Sequence, residues 1–409
     1  MSSHSENTRD TSAPPIQRRR ESLTQRGGPV ETRGDEKMAR ELATALEGTD
    51  SDETQDLTHG FHTYPARMHP RLARELIASW AQPGDVVLDP FCGSGTVLVE
   101  ALVAGCRPQG VDLNPVALRI SEVHCALKSQ NARRQFEQNV KRVAHASEER
   151  VRGRARAHIG VNADTQALYQ PHILFELCGL REEIEVVPYE DDRRAMLVVF
   201  SSLLVKFSRL RADTSREQVD KRLRKGLVTE FFMRKTFELV QRWEALFESA
   251  PKEAFPARLM CGDARDLPNL LGPRFQADLV VTSPPYGGTY DYADQHALRA
   301  DWFGFDTSSL RSNEIGARRT ARDADALDRW DDELRAVLRS VTKLLRPDGR
   351  VVLWMGDADM AGRKVQVAQQ VAALAPHAGL QLMAAASQSR GDPRGGQDRS
   401  ERLLLLQRV

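Results

Sequence analysis

The chain has 409 residues, 41% of them hydrophobic and 28% charged, and a net charge of +1. This fits a soluble globular protein of two or three domains, or of one domain with a large insertion, and it excludes nucleic-acid attraction by overall field, so any such affinity must come from a local patch. No apolar run approaches the roughly 18 residues of a membrane span, and the polar N-terminus lacks the apolar core of a signal peptide, so a cytoplasmic setting without a membrane partner is expected.

In chain order, residues 1–55 mix both charge signs with Ser, Thr, Gly and Pro and predict a disordered tail. The core begins near His59. Leu72, Leu76, Ile77 and Trp80 share one helical face. Asp85–Asp89 reads as a buried strand, followed by a Gly-rich turn, a helix from about Thr96 to Ala104, a second strand Gln109–Leu113 ending in an acid, and a helix after Pro115. This βαβ order implies a parallel sheet. Residues 56–129 form the first part of that core. Residues 130–255 interrupt the alternation with a charged, helical, basic insertion. Residues 256–409 resume it with strands at 258–263 and 277–282, a polar segment at 287–330 of loop and short helices, and a helix from Trp330 to Leu345. A strand at 350–355, a helix near 363–376 and strands near 380–386 and 402–408 complete it. The five cysteines Cys92, Cys106, Cys125, Cys178 and Cys261 lack CxxC or zinc-ligand spacing, so neither a disulfide nor a metal is expected.

Two motifs carry chemistry. In Asp89-Pro90-Phe91-Cys92-Gly93-Ser94-Gly95-Thr96, a strand meets the next helix, where open α/β sheets bind ligands. Gly93 and Gly95 permit positive φ and close ligand approach. Asp112, at the end of the next strand, suits a carboxylate accepting hydrogen bonds from ribose hydroxyls. Together these predict a nucleoside-type cofactor, while the missing GxGxxG spacing disfavours a dehydrogenase. In Ser283-Pro284-Pro285-Tyr286, the Ser283 hydroxyl and the Pro284 carbonyl are acceptors for an amine, two prolines stiffen the loop, and Tyr286 offers a face on which a flipped base stacks.

The two strings resemble motif I and motif IV of the DNA amino-methyltransferases, the N4-cytosine and N6-adenine DNA methylases. The resemblance covers roughly residues 59–125 and 258–408. It implies a Rossmann-like α/β methyltransferase fold with a mostly parallel seven-stranded sheet and a helical insertion. It also implies S-adenosyl-L-methionine (AdoMet) as cofactor, held by Asp89, Phe91, Gly93, Ser94, Gly95, Thr96 and Asp112. Asp263 looks like the acid that meets the adenine amino group, although a helix-capping aspartate is the other reading. Tyr64 and Pro65 resemble motif X, a lid over the methionine end, or equally a Pro-defined entry loop. Ser283, Pro284, Pro285 and Tyr286 become the catalytic motif. A serine in first position is commonest in the N4-cytosine branch, so the expected activity is site-specific methylation of cytosine N4 in DNA, with adenine N6 or an RNA base amine as alternatives and a non-catalytic relic of the fold as a third. A cognate restriction enzyme is a further partner compatible with the resemblance. C5-cytosine methylation is disfavoured because no cysteine follows a proline.

The aromatics of Tyr290–Phe305 are either walls of a base pocket or ordinary packing. The insertion concentrates charge: residues 201–240 hold ten Lys and Arg against five acids, an excess of +5. Lys206, Arg209, Arg211, Lys221, Arg222 and Arg224 are the candidate phosphate contacts, the other reading being a solvated helical face.

Overall fold

A computed structural model describes residues 27–47, 49, 53–64, 67–213, 215, 217–390 and 399–409. Among the described residues ten strands appear: β1 (Gly27–Gly34), β2 (Val86–Asp89), β3 (Arg107–Asp112), β4 (Arg258–Cys261), β5 (Ala277–Thr282), β6 (Leu345–Gly356), β7 (Ala358–Met360), β8 (Arg363–Val365), β9 (Leu380–Arg390) and β10 (Arg399–Arg408). Eight of them form one sheet in the order β1-β9-β10-β6-β5-β2-β3-β4, while β7 and β8 pair as a separate hairpin. The pairings from β4 through β6 are parallel, and those of β10 with β6, β10 with β9 and β9 with β1 are antiparallel. The fold is the Rossmann-like α/β methyltransferase fold, with eight strands where seven were expected.

The extra strand corrects the reading of residues 1–55 as a tail over 27–47, while residues 1–26 lie outside the described residues. β1 adds to the edge of β9, and α1 (Glu36–Glu47) buries Ala39, Leu42, Ala45 and Leu46 beneath it. Those four residues keep helical spacing inside a stretch whose average composition is polar.

Strand alternation divides the core into two layers. Leu403, Leu405, Val352, Val281 and Val87 face α1 and α2 (Pro70–Trp80). Leu404, Leu406, Val351, Leu353 and Leu88 face the other side, against α13 (Ala326–Leu344) and α14 (Val367–Leu374). The short α10 (Leu267–Leu271) joins that second layer through the buried Leu267. The helices start on local signals. α2 has Pro70 in its first turn and the His69 ring accepting from the Arg71 N–H, and α4 (Pro115–His124) has Pro115 after the capping Asn114.

Between α4 and β4 lie α5 (Gln130–Gly153), α6 (Ala163–Ala167), α7 (Pro171–Glu185), α8 (Glu190–Phe207) and α9 (Leu227–Ser249). Their apolar cluster, with Phe136, Phe200, Phe232 and Trp243, continues into Val116, Ile120 and Val123 of α4, and the Trp243 indole N–H donates to the Val123 carbonyl at 2.8 Å. The insertion is thus packed onto the catalytic layer over a shared apolar core.

The segment at 287–330, expected as loop and short helices, contains the twelve-residue α11 (Tyr292–Phe303) and the shorter α12 (Ser308–Asn313). Trp302 of α11 is buried with the insertion, its indole N–H donating to the Tyr169 hydroxyl at 3.2 Å, so it is a packing residue. The helix expected from 363 begins later, because residues 358–365 form the β7–β8 hairpin. Among the described residues no helix is long and apolar enough to cross a membrane, and no group of His, Cys, Asp and Glu side chains is arranged to hold a metal. All five cysteines are free thiols.

Candidate active site

The strand order reverses at β2. From it the sheet grows through β3 and β4 on one side and through β5 and β6 on the other. A crevice therefore opens at the carboxyl ends of β2 and β5. Asp89 closes β2 and Thr282 closes β5, and the Thr282 hydroxyl donates to Asp89 Oδ1 at 2.6 Å. This bond joins the two motifs across 193 residues of sequence.

A cavity open to solvent lies over this junction. Its lining includes Tyr64, Asp89, Phe91, Gly93, Ser94, Thr96, Asp112 and Asp263 from the expected cofactor residues, and Ser283 and Pro285 from the acceptor loop. Pro65 lies outside the described residues. Gly95 is not part of the wall. It caps α3 (Thr96–Val103) at φ 85°, and a Cβ there would come within 3.0 Å of the Ser121 hydroxyl, which itself donates to the Gly93 carbonyl at 2.7 Å. Gly93 has φ 50°, and a Cβ on it would approach the Tyr64 ring to 3.1 Å. Tyr64 in turn stacks on the buried His296 of α11, with ring centroids 4.8 Å apart. Burial holds the His296 imidazole down at about 3, so it is neutral.

The two central acids are poised for a change of charge. Asp112 accepts from the Gly93 N–H and the Asn114 N–H, both at 2.8 Å. Burial nevertheless pushes its carboxyl up to about 6. Burial pushes Asp89 up to about 7, against the opposing pull of Thr282 and the Phe91 N–H. Asp263 lines the cavity while also capping a short helical turn: it accepts from the Arg265 N–H at 2.8 Å and is clasped by the Arg265 guanidinium. The capping reading of Asp263 is therefore realised in the structure, and its place in the wall leaves a ligand contact open to it.

In the acceptor loop Ser283 and Pro285 face the cavity, whereas Pro284 is buried and Tyr286 lies beyond the cavity wall. The Tyr286 ring rests on Gly356 at the end of β6, where a Cβ would stand 3.2 Å away, and its hydroxyl is 3.4 Å from Ser283 Oγ. Burial, then the charge of Glu401, raises the Tyr286 phenol well above its ordinary value, so it stays neutral.

The structure separates the six basic candidates of the insertion. Lys221 is a correction: its ammonium donates to the carbonyls of Val205, Lys206 and Leu210 at 3.1, 3.2 and 2.7 Å, which satisfies the open end of α8 and leaves no donor for a phosphate. Arg211 is paired with Glu217 at 2.7 Å, and Arg224 is paired with Glu230. Lys206 lies over the Phe231 ring at 4.0 Å. Arg209 and Arg222 are exposed.

Comparison with known proteins gives a likeness over part of the chain. Residues 20–123 match the model of a family described as DNA methylase, a stretch that holds the donor loop and Asp112. Over that stretch the chain is similar to the DNA amino-methyltransferases. The type II methyltransferase M.MvaI of Kocuria varians is 44% identical over 72 residues, 17% of this chain and 16% of that one. The type II methyltransferase M.BsoBI of Geobacillus stearothermophilus is 22% identical over 279 residues, 62% of this chain and 54% of that one. A tRNA (guanine(10)-N2)-dimethyltransferase of Methanothermobacter thermautotrophicus is 46% identical over 52 residues, 12% of this chain and 16% of that one. The matched stretches thus span about half or less of these relatives, and the family model ends well before Ser283.

AdoMet is the cofactor that this likeness implies, and the cavity suits it. The ligand carries a sulfonium and an ammonium, and the wall holds four acids, Asp89, Asp112, Asp263 and Glu314, against one cation, Arg67. Glu314 and Arg67 were not among the expected contacts, nor were Met68, Asn114, Tyr292 and Asn313, which also line the cavity. Asn114 and Tyr292 had a signal, as direct neighbours of Asp112-Leu113 and of the acceptor loop. Asn313 and Glu314 had none, because α12 reaches the wall only through the fold.

Proposed function

We propose that this protein is a site-specific DNA methyltransferase that transfers the AdoMet methyl group to the exocyclic amine of a flipped base, with cytosine N4 as the favoured position. The observation that carries this reading is one cavity whose wall holds both residues of the donor loop (Asp89, Phe91, Gly93, Ser94, Thr96) and Ser283 and Pro285 of the acceptor loop. AdoMet, when bound, supplies an electrophilic methyl on a sulfonium. The chain's own residues do the rest. Asp112 accepts from ribose hydroxyls and Asp263 from the adenine amine, Gly93 allows close backbone approach, and Tyr64 closes the loop from above. An exocyclic amine is a weak nucleophile because its lone pair is shared with the ring. Ser283 Oγ and the Pro284 carbonyl accept its N–H groups and orient the nitrogen, and Tyr286 supports the base. Transfer is direct, with no covalent adduct to the chain, and rate is gained from alignment. Loss of the amine proton follows transfer.

The serine at position 283 supports cytosine N4 over adenine N6. The short match to a tRNA guanine-N2 dimethyltransferase supports a second reading, an RNA base amine at the same site. The test is mass spectrometry of nucleosides from DNA and from RNA incubated with the protein and methyl-labelled AdoMet. N4-methylcytosine in DNA is the expected product. N6-methyladenine moves the target base, and label confined to RNA replaces the first reading by the second.

A further inference from the structure

We infer that the β7–β8 hairpin and the adjoining turn around Arg318–Thr320 form a second DNA contact, a phosphate-binding rim at the mouth of the acceptor loop. The inference rests on the proposed activity and adds a surface to it.

The hairpin is fixed directly to the acceptor motif. Its strands pair Ala358 with Val365, Asp359 with Lys364 and Met360 with Arg363. The two-residue tip is Ala361 at φ 52° and Gly362 at φ 70°, the left-handed pair of a tight hairpin turn, kept here although one member is not glycine. Ala358 and Met360 are buried. The Ala361 N–H donates to the Ala321 carbonyl at 2.7 Å. A Cβ on Gly288, two residues after Tyr286, would lie 2.6 Å from the Asp359 carbonyl oxygen and 3.4 Å from Met360 Sδ. The hairpin therefore packs on the backbone of the loop that presents Ser283 and Tyr286.

This platform exposes cations. Arg322, Arg363 and Lys364 are solvent-accessible, and the Arg318 side chain is 60% exposed beside Asp291 at 3.4 Å. Arg363 stands across the ladder from Met360 and so leaves the hairpin on the face that meets the acceptor loop. The neighbouring acids are directed elsewhere: Asp323 and Asp325 are held by Arg329 at 2.8 and 2.7 Å, Asp359 stands across the ladder from Lys364, and the buried Asp291 accepts from the Arg319 N–H at 2.9 Å. Among the described residues Arg322 and Arg363 have no carboxylate within ion-pair distance. The insertion, richer in basic residues by count, has most of its candidates engaged. Phosphate contacts set the register of a duplex, and a flipped base needs its own strand held close to the pocket that receives it.

The test is fluorescence anisotropy of a labelled mixed-sequence DNA duplex against wild type and the double variant Arg322→Gln/Arg363→Gln across a salt series, with AdoMet affinity and thermal stability measured in parallel. The expected result is weaker binding by the variant and a plot of log affinity against log salt shallower by about two, at roughly 0.9 for each phosphate no longer neutralised, with AdoMet affinity unchanged. Wild type that binds while the double variant matches it in affinity and slope overturns this inference alone. Wild type that binds no duplex at all overturns both this inference and the proposed DNA substrate.

Discussion

Thr282→Val tests the bond that ties the two motifs together. The substitution keeps shape and removes the hydroxyl that reaches the buried Asp89 carboxylate at 2.6 Å. Asp89 titrates at about 7 when folded against an ordinary value of 3.8. The folded state therefore holds a proton that the unfolded chain releases between those two values, and this group's contribution to stability falls as pH rises from about 4 to about 7 and is level above. Thr282 limits that loss by favouring the ionised form. Without it the folded carboxyl titrates higher still, and each unit of rise costs about 1.4 kcal/mol at a pH where the wild-type group is ionised. At pH 5 the folded carboxyl is protonated in both proteins, and the deficit is that of a neutral hydrogen bond, about 1 kcal/mol. At pH 8.5 it grows to about 2–3 kcal/mol, the range of a bond to a charged group. Asp112 adds the same slope to both proteins and cancels in the difference. Urea unfolding at the two pH values measures it. A deficit equal at both, or larger at pH 5, would refute the assignment of Asp89 as the ionised partner.

AdoMet affinity should rise between pH 6 and 8, since Asp112 and Asp89 titrate at about 6 and about 7 and a cationic ligand selects their ionised forms; calorimetric titration showing a flat or falling affinity contradicts this. Gly95→Ala forces a left-handed alanine, which costs about 1–2 kcal/mol, and drives its Cβ against Ser121; AdoMet binding should weaken by about tenfold or more, as read by the same titration. Tyr286→Ala should nearly abolish methyl transfer while leaving AdoMet affinity intact, because the ring lies outside the cofactor cavity; unchanged turnover removes Tyr286 from the acceptor site. Lys221→Met removes the donor shared by the carbonyls of Val205, Lys206 and Leu210 and should lower stability by about 1–3 kcal/mol without changing DNA affinity; the opposite pattern, seen by urea unfolding and anisotropy, returns Lys221 to the phosphate contacts.

The parts of the fold that were legible are those set by local pattern. Apolar runs bounded by Gly, Pro and acid located β2, β3, β5 and β6, the helical spacing of Leu72, Leu76, Ile77 and Trp80 located α2, and Pro115 located α4. The parts that were not legible depend on what lies opposite. Gly27–Gly34 becomes a strand only because β9 offers it an edge, and the hairpin at 358–365 packs where it does only because Gly288 leaves room for it. The basic insertion misled for the same reason. Counting charges registers Lys221, Arg211 and Arg224 but not the carbonyls and carboxylates that occupy them.

The same distinction explains why the two motifs could be read so far apart. Each is a short loop whose chemistry is local: glycines where a ligand approaches, a carboxylate at a strand end, stiff prolines presenting acceptors. Their meeting depends on one topological fact, that β5 pairs with β2. The five helices of the insertion leave that pairing undisturbed, because the chain departs after β3 and returns as β4 on the outer edge of the same strand. An insertion placed between β5 and the acceptor loop would have moved Ser283 relative to Asp89; placed where it is, it adds its apolar core to α4 and α11 and bears on the site from behind, through His296 stacked on Tyr64.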